Sequence, residues 1–120
     1  MRKALAGEDI VLKSKGEQRR TYTYVLDAVS AIFAVLLKGK ADECYNISNE
    51  HSIASIADVA QEVAAISGQK VVCDLPTELE AKGFSKPQDC ILDNTKLKSL
   101  GWTGQYTLHD GMTECLNILK

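Results

Sequence analysis

Arg20 heads the stretch Arg20-Thr21-Tyr22-Thr23-Tyr24-Val25-Leu26-Asp27, so a fixed cation stands two residues before an alternating Tyr-Thr-Tyr-Val run. A guanidinium fork matches phosphate oxygens in pairs, and one such charge-assisted contact contributes about 1.5–3 kcal/mol where water is excluded. The bland alternative for Arg20 is a surface ion pair with Glu17 or Asp27, worth little in water. Arg19 would point to the opposite face of an extended strand, so only one of the two arginines can line a site. Tyr22 and Tyr24 share a strand face. Each has a flat apolar body and a polar tip that suit contact with a ligand, and core packing is the competing role for both. Asp27 reads as a helix N-cap rather than a catalytic acid. Asn46, in Cys44-Tyr45-Asn46-Ile47, falls in a stretch that reads as a short buried strand, where an amide must find partners. Lys82 and Lys86 are further cations, but a lysine is a point charge without the bidentate fork.

The elements that would position these residues follow from punctuation and periodicity. Asp9–Leu12 and Thr21–Val25 are strand candidates, and Lys13-Ser14-Lys15-Gly16 between them has turn composition, which predicts an N-terminal β-hairpin. After Asp27 a helix runs to about Lys38, with Gly39 as its stop. From Ala28 to Leu37 that helix is interrupted only by Ser30, and a helix apolar all round must be covered on most sides. Few elements of so short a chain can cover it, which points to a partner domain or a tight oligomer.

Ser52 is a candidate cap for a helix carrying Ile53, Ile56, Val59, Ala60, Val63 and Ile66 on one face and ending at Gly68. Lys70–Asp74 reads as a strand, and Thr77–Asp89 as a short helix followed by a loop. Asp93–Gly101 is a short capped helix onto which Trp102 folds back. Thr107–Asp110 resembles a capping box for a last helix with Leu108, Met112, Cys115, Leu116 and Leu119 on one face. The expected fold is a small α/β unit with the hairpin, short strands and about four helices.

Composition excludes several functions. The 120 residues suit one domain, 1–120, with 45% apolar and 25% charged content. A net charge of −2 argues against nucleic acid as a partner, which would need a clustered basic surface. No run approaches the roughly 20 apolar residues of a membrane span, and no signal-peptide pattern follows Arg2 and Lys3, so the expected location is cytoplasmic. Cys44, Cys73, Cys90 and Cys115 are irregularly spaced and the two histidines lie far apart. No metal or redox motif results, and buried reduced thiols are expected.

Three blocks in order, Gln18-Arg19-Arg20-Thr21-Tyr22-Thr23-Tyr24-Val25-Leu26-Asp27, then Tyr45-Asn46-Ile47, then Leu100-Gly101-Trp102, resemble the C-terminal half of extended short-chain dehydrogenase/reductases. These are the NAD-dependent nucleotide-sugar epimerases and dehydratases. The resemblance spans most of the chain. It implies a substrate-binding portion opposite a Rossmann domain that these residues do not include, with NAD or NADP used by the parent enzyme and none bound by this part alone. It also implies that Arg20 reaches the phosphates of a nucleotide-diphosphate sugar and that Arg19 is solvated. Tyr22 and Tyr24 then stand near the nucleotide, and Asn46 on the cofactor side of the cleft. The family's second phosphate-binding arginine has no counterpart in Lys82–Asp89, leaving Lys86 or Lys82 to supply charge.

The family's catalytic Tyr-x-x-x-Lys pair and glycine fingerprint are missing: no tyrosine is followed four residues later by lysine, and Gly101 and Gly104 follow a helix rather than a strand. Hydride transfer by these residues alone is therefore not expected. Met1 reads as an internal start or a late truncation, since Ala4-Leu5-Ala6-Gly7 resembles the end of an interior helix. Two other readings remain: a stand-alone, non-catalytic nucleotide-sugar binding module, and a structural domain that self-associates through the Ala28–Leu37 helix.

Overall fold

The computed structural model describes residues 1–77 and 88–120. The expected helix and loop of Thr77–Asp89 fall largely outside them, and Lys82 and Lys86 lie wholly outside. Helices α1 (Arg2–Leu5), α2 (Val25–Lys38), α3 (Ile56–Ser67), α4 (Thr95–Lys98) and α5 (Leu108–Leu119) are joined by strands β1 (Ile10–Leu12), β2 (Arg19–Thr21), β3 (Ile53–Ser55) and β4 (Val71–Cys73). The class is mixed α/β, as the sequence indicates.

The hairpin does not form. β1 pairs in parallel with β4, Ile10 opposite Val71, while β2 pairs antiparallel with β3, Arg20 opposite Ala54. Gly16, at φ 68°, is no hairpin turn. It lies under the start of α3, where its carbonyl accepts from the Ala57 amide at 3.0 Å and a Cβ would sit 2.8 Å from that nitrogen. The chain between β1 and β2 is thus spent on reaching α3, and each strand takes a distant partner. β2 is also shorter than expected: Tyr22–Tyr24 lie outside any strand and α2 begins at Val25.

The amphipathic α3 starts at Ser55, not Ser52, because Ile53–Ser55 is taken up as β3. Ser55 Oγ accepts from the Asp58 amide at 3.0 Å and the Asp58 carboxylate accepts from the Ser55 amide at 2.8 Å, a reciprocal cap. Gly68 ends α3 in the left-handed conformation at φ 72°. Thr107 and Asp110 make the same box at the start of α5.

Among the described residues two small cores form. Ala4, Val63 and Leu116 join α1, α3 and α5, with Ile10, Ile66 and Met112 around them. Ala31, Leu97 and Trp102 join α2 to α4, and the Trp102 indole N–H donates to Ser30 Oγ at 2.9 Å. Most of α2 is left uncovered: Ile32, Phe33, Leu36 and Leu37 are 55%, 57%, 74% and 78% exposed. The radius of gyration is 16.9 Å, against about 14 Å for a compact domain of this length.

Cys44–Ile47 forms no strand; Cys44 and Asn46 are exposed and only Ile47 reaches the α2–α4 core. The thiols are free, as expected, but not buried. Cys44, Cys73 and Cys90 are exposed and Cys115 is half-buried.

Candidate functional site

Arg20 sits in the middle of β2, held on one side by β3 and on the other by a bridge to Cys90. The segment from Gln88 onward runs beside β2: the Arg19 amide donates to Asp89 Oδ1 at 2.8 Å, the Cys90 amide to the Arg19 carbonyl at 2.9 Å, and Gln18 Nε2 to the Gln88 carbonyl. The backbone of Arg20 is therefore fixed while its side chain is exposed. Its guanidinium donates to Gln18 Oε1 at 3.3 Å. Among the described residues it pairs with no carboxylate, neither Glu17 nor Asp27.

Tyr22 and Tyr24 follow directly. The Tyr22 amide donates to the Ser52 carbonyl at 2.9 Å. The Tyr24 ring packs against Tyr106 with centroids 4.8 Å apart and planes at 52°. Burial pushes the Tyr24 hydroxyl above its ordinary pKa, and the negative forms of Cys115, Glu114 and Tyr106 add to the rise, so it stays a neutral phenol. Both half-buried rings line a small cavity against α5.

Asp27 is not the N-cap of α2; Tyr24 holds that position. Asp27 stands one turn inside, 1% exposed, with its carboxylate turned to the chain ahead of α5. It accepts from the amides of Gln105 at 2.9 Å and Tyr106 at 3.1 Å, and from Asn49 Nδ2 at 3.1 Å. Asn49 also donates to the Tyr106 carbonyl at 2.7 Å, and Ser52 Oγ donates to that carbonyl at 3.2 Å. Buried polar groups must be satisfied, and here they satisfy one another across three segments. The carboxylate is structural, as the sequence suggests, but it serves a distant loop rather than its own helix.

Asn46 lies apart from the tyrosines. Its amide donates to the Asp93 carbonyl at 2.9 Å, next to Ser48 Oγ on the Leu92 carbonyl at 3.0 Å and Asn94 Nδ2 on the Ser48 carbonyl at 2.8 Å. Segment 88–94 thus runs from Arg20 to Asn46 and ties the two together at second hand. Ser48 and Asn49 escape sequence reasoning, and Ser52 is read there only as a helix cap; the available signal is the polar run Ser48-Asn49-Glu50-His51-Ser52.

The described residues hold no group of three or more His, Cys, Asp or Glu that could bind a metal ion, and no described helix is long and apolar enough to cross a membrane.

This fold is that of a known class of enzymes. The UDP-N-acetylglucosamine 4-epimerase structure from Bacillus cereus superposes with a TM-score of 0.81 at 20% identity, over 98% of this chain and 40% of that one. The UDP-glucose 4-epimerase of Thermotoga maritima, solved with UDP-glucose, gives 0.77 at 27% identity, over 98% and 36%. In sequence, the UDP-N-acetyl-alpha-D-glucosaminuronate decarboxylase of Bacillus cytotoxicus is 34% identical over 102 residues, 83% of this chain and 32% of that protein. The profile of the NAD dependent epimerase/dehydratase family matches residues 1–48. The chain corresponds to the C-terminal end of members of that family, the extended short-chain dehydrogenase/reductases. It spans about a third of the length of the relatives it matches.

Proposed function

We propose that residues 1–120 are the nucleotide-sugar-binding portion of an NAD- or NADP-dependent sugar epimerase or dehydratase of the cytoplasm, acting in nucleotide-sugar and cell-surface polysaccharide metabolism. Arg20 holds the diphosphate, Tyr22 and Tyr24 stand beside the nucleotide, Asn46 borders the cofactor side, and Lys86 or Lys82 supplies the second cation. The carrying observation is the state of Arg20: its backbone is pinned by two neighbouring segments, while its exposed guanidinium has a weak neutral partner at 3.3 Å and no described carboxylate. A fork so placed can close on phosphate oxygens without first breaking an ion pair.

The dinucleotide itself does not fit these residues. Among the described residues the direct strand-to-helix passage is β3 into α3, where Ser55, Ile56 and Ala57 stand instead of glycines; the Ser55–Asp58 box takes the Ser55 and Asp58 amides, and the Ile56 and Ala57 amides already donate to the Gln18 and Gly16 carbonyls. A pyrophosphate needs bare backbone at such a turn. NAD therefore belongs to the rest of the parent enzyme, where it would oxidise a sugar hydroxyl transiently before epimerisation, dehydration or reduction.

A second reading rests on α2. With Phe33, Leu36 and Leu37 more than half exposed, the chain by itself self-associates, and in the parent enzyme a Rossmann domain is the natural cover. Titration of the chain with UDP-glucose and dTDP-glucose tests the main reading. Arg20→Ala is expected to weaken binding by about tenfold or more, and an unchanged affinity would overturn it.

A further inference from the structure

Beside α5 lies a half-open cavity of about 160 Å³, walled in part by the two tyrosines that the proposed function sets beside the nucleotide. We propose that it binds one small uncharged aromatic ring bearing a single hydroxyl, a molecule of the size of phenol. The volume is close to the roughly 150 Å³ of an apolar cavity that takes up benzene. No charged residue is among its lining groups, so an ionic ligand would lose its hydration without a counter-charge. The walls are Tyr22, Tyr24, Leu108, Met112 and Cys115; two rings and two sulfurs are the partners an aromatic ring prefers.

The walls are set before any ligand arrives. Tyr24 is backed by Tyr106, and the Tyr106 backbone is held by Asp27, Asn49 and Ser52. The helix comes close to Tyr24 because residue 111 is glycine: a Cβ there would sit 3.3 Å from Tyr24 Cβ and Cδ2. Ser52 lines the cavity and is 4% exposed. Its hydroxyl hydrogen is spent on the Tyr106 carbonyl, which leaves its oxygen free to accept from the ligand hydroxyl. This inference does not rest on the nucleotide-sugar reading.

The chain has two methionines, Met1 and Met112, so ¹³C-methyl labelling gives one signal in the cavity and one at the N-terminus. Titration with phenol should move the Met112 methyl saturably and leave Met1 in place, benzoate should move neither, and Cys115→Phe should abolish the shift by filling the space. A non-saturable shift, or one that survives Cys115→Phe, would overturn the proposal. So would Met1 and Met112 moving together, because both line a separate apolar cavity. Should Cys115→Phe fail to fold, a chain with Cys44, Cys73 and Cys90 changed to Ser keeps the test. Phenol should slow alkylation of Cys115 severalfold, and an unchanged rate refutes the site.

Discussion

Asp27 and Asn49 stand 22 residues apart in sequence and meet in a hydrogen bond of 3.1 Å from amide to carboxylate, each residue 1% exposed. With the Gln105 and Tyr106 amides on the same carboxylate, this pair joins the start of α2, the loop before β3 and the chain entering α5. Asp27→Ala leaves these donors unpaired in a low-dielectric interior. We expect it to destabilise the fold by about 3 kcal/mol or more, read as a lowered denaturant midpoint. Asp27→Asn keeps the size but turns an N–H group toward other donors, and should fall between the two.

Gly104 is needed for the same junction. A Cβ there would lie 2.4 Å from Cγ and Nδ2 of Asn49, and the buried amide has no room to retreat. Gly104→Ala should therefore cost about 1–3 kcal/mol, and pairing it with Asn49→Ala, which clears the clash, should cost less than the sum of the two single changes.

The helix caps make stability pH-dependent at the acid end. Hydrogen bonds from the Ser55 amide and hydroxyl hold the Asp58 pKa below the ordinary carboxylate value. The Thr107 hydroxyl and amide do the same for Asp110, and the Thr95 hydroxyl and amide for Asp93. Each group is lower in the folded than in the unfolded chain, so its contribution is fully present above about pH 4 and lost as pH falls through the folded-state values. The urea midpoint should drop between pH 6 and pH 3, and less steeply in Asp58→Asn combined with Asp110→Asn. Ser55→Ala and Thr107→Ala should each cost about 1 kcal/mol at neutral pH.

The uncovered face of α2 predicts concentration-dependent sedimentation of the isolated chain. Phe33→Asp with Leu36→Lys, at positions 57% and 74% exposed, should return it to a monomer without lowering its unfolding midpoint. A monomer at high concentration before any substitution would remove the prediction.

Local signals carried much of the fold. The Thr107–Asp110 box, the Gly68 stop, the Val71–Cys73 strand and the return of Trp102 onto Leu97 each depend on residues close in sequence or on one strong apolar side chain. The strand pairing was not legible, because three-residue strands carry no register of their own and Gly16 is explained by its contact with Ala57, more than 40 residues away. Asp27 looked like a cap for a related reason: the correct residue type stands near a helix start, but its partners come from residues 49, 105 and 106. Arg20 was visible from its neighbours and from the family blocks. What a sequence cannot display is that β3 and the segment after residue 87 fix its backbone from both sides and leave its guanidinium exposed.

The central claim is that Arg20 grips a diphosphate, and ³¹P NMR of UDP-glucose mixed with the chain tests it at the atoms concerned. Both phosphorus resonances should shift saturably with wild-type chain, less with Arg20→Lys, which keeps the charge but not the fork, and not with Arg20→Ala. Equal shifts for wild type and Arg20→Ala would contradict the account and move the anion-binding role elsewhere in the chain.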